Sequence, residues 1–431
     1  MAIISISDSQ VNGADQILVA DASSKIPAKD GSQITILNAT NVATGTIASA
    51  RLDTGTTANK LVLLDGSGNL PAVDASLLTG IVSATISASD PTISTNPSGG
   101  VGTEWNNSTS GEMYICTDAT AGENVWTNVG AGSGDVVPWF YWGENNGYTM
   151  GGRATNTDVD IVDKYSFSST GNATDVGNLL ANNTNGSGHH SKTHGYHVGG
   201  GVGGGMGNII QKVTFSADSN MTDVGDLVIQ RGGSAGTSSE TYGYCQAGYT
   251  GAPPLAASID KFSFASDGNA TTVSGVVTVA RQSIGETTST TYGYAHGGHD
   301  ASLVNIIDKF PYSSEGNSTD VGDMARGIDT ATAGCSAAAY GYIVGGHSDG
   351  AYGVGKYSFT TDGNSTDILD LTNNKTRYCA ASTSPTYGYR SGGGQTPDTN
   401  IIDRFSFATE ATATDVGDLL SARRYICGAS Y

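Results

Sequence analysis

A single beat runs through the last two-thirds of this chain. Gly-Tyr pairs recur at Gly147-Tyr148, Gly195-Tyr196, Gly243-Tyr244, Gly293-Tyr294, Gly341-Tyr342 and Gly388-Tyr389, with tyrosines 48, 48, 50, 48 and 47 residues apart. A basic residue followed by an apolar one keeps the same time, at Lys164-Tyr165, Lys212-Val213, Lys261-Phe262, Lys309-Phe310, Lys356-Tyr357 and Arg404-Phe405. A period near 50 residues, rich in glycine and β-formers, is that of a propeller. One such unit cannot bury its own faces, so an assembly of units is what folds.

Each unit reads as four strands. From Arg281, the stretch 282–289 is the first, TYGYAHGG (291–298) the second, NIIDKFPY (305–312) the third and STDVGDM (318–324) the fourth, with EGN (315–317) as a turn. Arg326 opens the next unit. Six units predict an all-β fold with a six-bladed propeller over 136–431. RRYICGASY (423–431) matches a first strand such as TRYCAASTS (376–384), whereas PWFYWGENNGYTMGG (138–152) supplies a second strand. The two ends are therefore expected to complete one blade. WFYW (139–142) is a seventh contender for six first strands, and we expect it to pack below the ring instead.

The region ahead of the repeats differs. Within 1–86, QILVADASSKIPAKDGSQIT (16–35) aligns without gaps on KLVLLDGSGNLPAVDASLLT (60–79), an offset of 44 residues. Each copy is too small for its own core, which predicts an extended shaft or attachment segment assembled from identical chains, as a homotrimer. Residues 87–135 read as a small β-hairpin domain with Trp105, Tyr114 and Trp126 on its apolar side, ending in the short joint AGSGD (131–135).

Charge limits the partners. The formal charge is −20, which argues against nucleic acid and against docking to an anionic bilayer. No run of 18 apolar residues exists to span a membrane, and MAIISISDSQ lacks the pattern of a signal peptide. The five cysteines (Cys116, Cys245, Cys335, Cys379, Cys427) contain no CxxC and read as small core residues.

The repeated Asp-Lys pairs at 163–164, 260–261 and 308–309, with Asp403-Arg404, read as structure, because neighbours on a strand face opposite ways and a catalytic set converges once. The GNATD-type turns are expected to place Asn in left-handed backbone, and their match to a glycosylation sequon at Asn172, Asn269, Asn317 and Asn364 is read as incidental. His189, His190, His194 and His197 read as an exposed loop rather than a metal site. Glu144, Glu240 and Glu286 break the repeat but fall in different units, so no glycosidase pair is expected. The connections between second and third strands are irregular: Arg153 and Asn156; Tyr249; His299 and Asp300; His347, Asp349 and Tyr352; Gln395 and Asp398. Variable loops on one face of a rigid frame are where recognition lives, and these side chains suit sugars. These ten are the candidate ligand-binding residues. No catalytic residue, metal or cofactor is expected.

Gly-Gly doublets at 151–152, 199–200, 297–298, 345–346 and 392–393, following a small-residue strand and an Arg, resemble the kelch repeat over about two-thirds of the chain. The third unit departs with Ala247-Gly248, and the family's fourth-strand Trp is replaced by Val or Ile near Val176, Val224, Val321, Ile368 and Val416. The unit IDKFSF…GNATDVGDL…AR and the leader phrase LPAVDASLLTG are similar to tail-fibre or appendage proteins of marine tailed bacteriophages. That resemblance implies a non-enzymatic virion protein, made in the host cytoplasm. Its N-terminal region would bind other virion proteins, and its propeller would meet a host-surface glycan or outer-membrane component. The alternatives are a polysaccharide depolymerase spike and a scaffold that binds no ligand.

Overall fold

The computed structural model describes residues 84–130, 141–325, 332–346, 353–374, 376–394 and 397–431. The chain divides into two compact units, Met1–Ser83 and Ala84–Tyr431. The attachment segment expected over 1–86 thus lies, up to residue 83, outside the described residues.

Every regular element among the described residues is a strand. The expected hairpin is a four-stranded sheet: Thr85–Ser87 runs parallel to Glu104–Asn107, which pairs antiparallel with Met113–Asp118 and then Val125–Asn128. Tyr114, Cys116 and Trp126 are fully buried in it, and Trp105 meets Trp126 edge-on at 5.8 Å.

Six antiparallel four-stranded sheets follow. Sheet A is Cys427–Ser430, Asn146–Met150, Ile161–Ser166 and Thr174–Asn178; sheet B is Ser187–His190, His194–Val198, Ile209–Thr214 and Thr222–Asp226. Sheet C is Ala235–Ser238, Tyr242–Gly248, Ala256–Ser263 and Thr271–Val276; sheet D is Gly285–Thr288, Tyr292–His296, Ile306–Pro311 and Thr319–Asp323. Sheet E is Ala333–Ala337, Tyr340–Val344, Gly353–Ser358 and Thr366–Asp370; sheet F is Ala380–Thr383, Tyr387–Ser391, Ile401–Ser406 and Thr414–Asp418. Sheet A borrows its first strand from the far end of the chain, with Cys427 opposite Met150 and Ser430 opposite Gly147. Tyr141, from the WFYW segment, forms no strand. Its carbonyl accepts from His190 Nε2 at 2.6 Å and its hydroxyl donates to the Ala337 carbonyl, tying the first strands of sheets B and E.

Each repeated motif has a physical task. In sheets A, C, E and F the glycine of Gly-Tyr sits opposite a third-strand aromatic, which lies across it: a Cβ on Gly243 would stand 2.3 Å from the Phe262 ring, and one on Gly388 2.3 Å from Phe405. The tyrosine is buried and packs on the aromatic just after the next sheet's third strand. Tyr148 packs on Phe215, Tyr196 on Phe264, Tyr244 on Tyr312, Tyr294 on Phe359, Tyr342 on Phe407 and Tyr389 on Phe167, at 4.6–5.0 Å between centroids. The series runs A to F and then back to A.

The Asp-Lys pairs divide their labour across the strand, as alternation demands. Each Lys crosses to an acid of the next sheet: Lys164 to Asp218, Lys212 to Asp267, Lys261 to Glu315, Lys309 to Asp362 and Lys356 to Glu410. Each Asp turns inward to a fully buried arginine: Asp260 to Arg231 and Asp308 to Arg281 at 2.8 Å, Asp163 to Arg423 at 3.1 Å. Sheet F keeps the pair by another route. Thr376 holds the usual arginine position, and Arg390 reaches Asp403 from the second strand at 2.5 Å. Sheet B replaces it with neutral groups: Asn183 donates to the Gly199 carbonyl and Gln211 accepts the Leu180 N–H.

The GN turns behave differently from expectation. Asn172, Asn269, Asn317 and Asn364 are absent from the left-handed region. Their side-chain carbonyls instead accept backbone N–H groups of the preceding sheet's fourth strand, at Asp418, Asp226, Val276 and Asp323. The doublet glycines do need left-handed backbone, as at Gly151 (φ 63°) and Gly152 (φ 108°), and Ala247 adopts it at φ 57°.

Asp308→Ala strands a fully buried guanidinium and is expected to cost about 3–5 kcal/mol of stability, whereas Lys309→Ala, one residue on, is expected to cost under about 1 kcal/mol. Denaturant unfolding of both variants reads the difference. Truncation after Asp418 removes the first strand of sheet A and is expected to abolish the cooperative thermal transition. Retention of the full-length melting temperature would show that this strand pairing adds nothing to stability.

Candidate ligand-binding site

Two kinds of connection meet on one side of sheets A–D and F. The first joins second to third strands. In sheet A it is a two-residue turn, Thr155 (φ 45°) and Asn156 (φ 67°), between short strands Arg153–Ala154 and Thr157–Asp158, the backbone that a tight hairpin demands. The second kind leads into each first strand. Two residues after each framework position (183, 231, 281, 376, 423) stands a residue in left-handed backbone: Asn185, Gly233, Ser283, Tyr378 and Tyr425, at φ 55–62°.

Together they enclose a depression of about 310 Å³. Its walls carry Arg153, Tyr249, Gln282, His299, Tyr378 and Tyr425. The two tyrosines lie 4.0 Å apart between ring centroids at 40°. Arg153 and Arg424 sit over the Tyr425 ring at 5.8 and 5.4 Å, and Arg377 over Tyr378 at 5.1 Å. His299 Nε2 pairs with the Gln282 amide nitrogen at 3.1 Å, and the Tyr249 hydroxyl donates to Gly251 at 2.7 Å.

The site is close to neutral despite its arginines. Arg153 is bound to Asp158 at 2.6 Å, and this bond holds its guanidinium above the usual arginine range. Arg424 spans Asp398 at 2.5 Å and the Asn156 side-chain carbonyl at 3.2 Å. The carboxylates at the edge are thus engaged. Such a surface offers aromatic faces and planar hydrogen-bonding groups with little net charge.

The structure therefore brings Arg153, Tyr249 and His299 together and joins Asn156 to Asp398 beside them. It leaves Asp300 outside: its carboxylate accepts the Ser302 and Ala301 N–H groups, which hold it below the usual carboxylate range. His347, Asp349, Tyr352 and Gln395 lie outside the described residues. Tyr378, Tyr425, Arg424 and Gln282 were missed. They sit within two residues of the framework positions 281, 376 and 423, in a segment read as the strand's own start, and their signal is that residue type varies there while the framework position tends to repeat.

The histidines correct the sequence reading. His189, His190 and His197 lie on paired strands rather than in an exposed loop, and His189 and His197 are about 1% exposed. Ring burial pushes His189 down to about 3 and His190 and His197 to about 4; His296, in sheet D, falls to about 3. No group of three His, Cys, Asp or Glu converges on a metal position among the described residues. All five cysteines are buried and unpaired. Glu144 and Glu240 are exposed, Glu240 beside Lys192 at 3.3 Å, and Glu286 lies on a first strand.

No protein-family model matches this chain, and no curated protein matches it in sequence.

Because the buried imidazoles protonate only below their ordinary value of 6.5, the unfolded chain takes up protons first as pH falls. Their contribution is whole above pH 6.5 and is lost progressively toward pH 4 and below. Melting temperature measured from pH 7.5 to 4 is expected to fall across this window, and His296→Gln is expected to flatten the slope, since Gln246 fills the equivalent place in sheet C.

Proposed function

We propose that sheets A–F are the blades of a closed six-bladed, kelch-like propeller, and that the chain is a non-enzymatic appendage of a phage particle. Its blade-face depression binds a host-surface glycan. Three features support closure: the strand shared by the two ends of the repeat region, tyrosine packing that runs from F back to A, and the Asn172 bond to the Asp418 N–H.

One observation carries the recognition reading. Gly233 shows that glycine serves at the left-handed position leading into a first strand, yet Tyr378 and Tyr425 stand there at φ 55° and 58°. A non-glycine residue in this backbone costs about 1–3 kcal/mol, and such outliers gather at functional sites. The frame has no need of these rings, so the strain is retained for what they touch. Paired aromatic faces with Asn, Gln and Arg around them cover sugar C–H patches and bond hydroxyls. The place on a virion, the homotrimer and the N-terminal attachment rest on the resemblance of the repeat unit and leader phrases to phage fibres.

Tyr425→Gly separates fold from function. It removes the ring and relieves the backbone, so the melting temperature is expected to hold or rise, while affinity for host polysaccharide falls roughly tenfold or more in titration calorimetry. Unchanged affinity would reject this site. Shortening of the polysaccharide during incubation would favour a depolymerase instead.

A further inference from the structure

All six first strands line one inner cavity. Their second residues are Gly188, Gly236, Glu286, Gly334, Ala381 and Gly428. Backbones crowd at this level: a Cβ on Gly188 would lie 2.0 Å from the Gly428 carbonyl oxygen, one on Gly428 2.1 Å from that of Ala381, and one on Gly334 1.6 Å from that of Glu286. Glycine and alanine are therefore what packing asks for, and in sheet D the position carries a carboxyl instead.

Glu286 stands between two small polar cavities of about 60 and 50 Å³, both of which it lines with Gly188, Ala381 and Gly428. Each has room for an ion with water. The first shares Asn185, Gly233, Ser283, Tyr378 and Tyr425 with the rim depression, so it communicates with the ligand face. The second is walled by hydroxyls, among them Ser238, Thr288, Ser336 and Thr383, and Tyr141 closes its far end.

Among the described residues no salt bridge reaches Glu286, and burial raises its carboxyl, to about 8. The other titratable groups lining these cavities are Cys379, Cys427, Tyr378 and Tyr425 on the rim side and Tyr141 and His190 on the far side. Burial holds Cys379 up at about 12 and pushes Cys427 higher still, and it holds His190 down at about 4. None of these three changes charge between pH 6.5 and 8.5, and protonated thiols do not serve as soft-metal ligands.

We propose that Glu286 and the surrounding hydroxyls and carbonyls form a binding site for a hard, oxygen-seeking cation, admitted from the rim. The exchange is balanced: the glutamic acid releases its proton as the cation takes its place on the carboxylate. A single carboxylate among neutral oxygens gives weak binding, on the order of 10⁻³ M or weaker for calcium, because affinity follows the charge count of the ligands. The site stands apart from the glycan reading, since it needs no saccharide.

Titration calorimetry of the full chain with CaCl₂ tests it, at pH 8.5 and 6.5. The acidic surface binds calcium in every variant, so the comparison with Glu286→Gln isolates this site. One extra binding event is expected in the native chain and none in the variant, with native affinity about tenfold weaker per pH unit below 8. Gln keeps the neutral shape of the protonated acid. Should that variant misfold, Glu286→Ala replaces it, because Ala381 fills the equivalent place in sheet F. Identical isotherms for native and variant chains, or affinity independent of pH, would overturn the proposal.

Discussion

A guanidinium shut away from water must find a carboxylate, and that requirement organises the repeated region. Arg231, Arg281 and Arg423 arrive on the chain segment entering a first strand, while Asp260, Asp308 and Asp163 wait on the third strand of the same sheet. The second carboxylate function is as important as the first. Asp260 and Asp308 also accept the N–H of Val228 and Thr278, the backbone that has just left the previous sheet. One buried pair thus fixes where one sheet ends and the next begins. Replacing such pairs with apolar groups can be neutral for stability, so their retention fits a role in register, where a slipped segment would leave both charges unpaired.

The exceptions show which part of the arrangement is indispensable. Sheet B drops both charges and keeps the backbone contact through Gln211. Sheet F moves the arginine to the second strand and keeps Asp403, which still accepts the Thr372 N–H. Sheet E carries Gly355 where sheets A, C, D and F carry Asp and sheet B carries Gln. What survives most widely is an acceptor for the incoming backbone. The least complete pair is Arg423 with Asp163, at 3.1 Å with the guanidinium Nε and Nη1 lacking partners. Burial pushes that carboxyl up and that guanidinium down. It is also the pair that joins residues 260 positions apart in sequence, where loop closure is costliest.

Much of this is legible in the sequence, because a period repeats for a reason. Strand boundaries read from the unit at Arg281 fall within a few residues of Gly285–Thr288, Tyr292–His296, Ile306–Pro311 and Thr319–Asp323. Alternation foretold that Asp and Lys would part company, and small side chains foretold buried cysteines. The histidines at 189, 190 and 197 misled because polar residues beside NNTNGSG look solvated, whereas Ser187 and the Thr237 carbonyl satisfy His189 inside. The Asn turns misled for the opposite reason: their partners belong to another sheet, which local sequence does not contain. The candidate site was half legible. Loops between second and third strands announce themselves by irregularity, but Tyr378 and Tyr425 stand next to repeated residues and draw their meaning from a backbone conformation.

That conformation separates the residues the repeat requires from those it does not. Residues kept by the frame recur and explain themselves through a neighbour, as Gly243 does through Phe262. Residues free of the frame either revert to what costs least or stay where something else holds them. Gly233 is the cheap solution entering sheet C, and Tyr425 is the expensive one entering sheet A. Glu286 is expensive in the same sense, a carboxyl where its five counterparts are glycine or alanine. Both depart from the repeat at a cost the fold does not require, and both border connected cavities that open on one face. Two independent departures thus border one passage, and both the proposed glycan site and the proposed cation site draw on it.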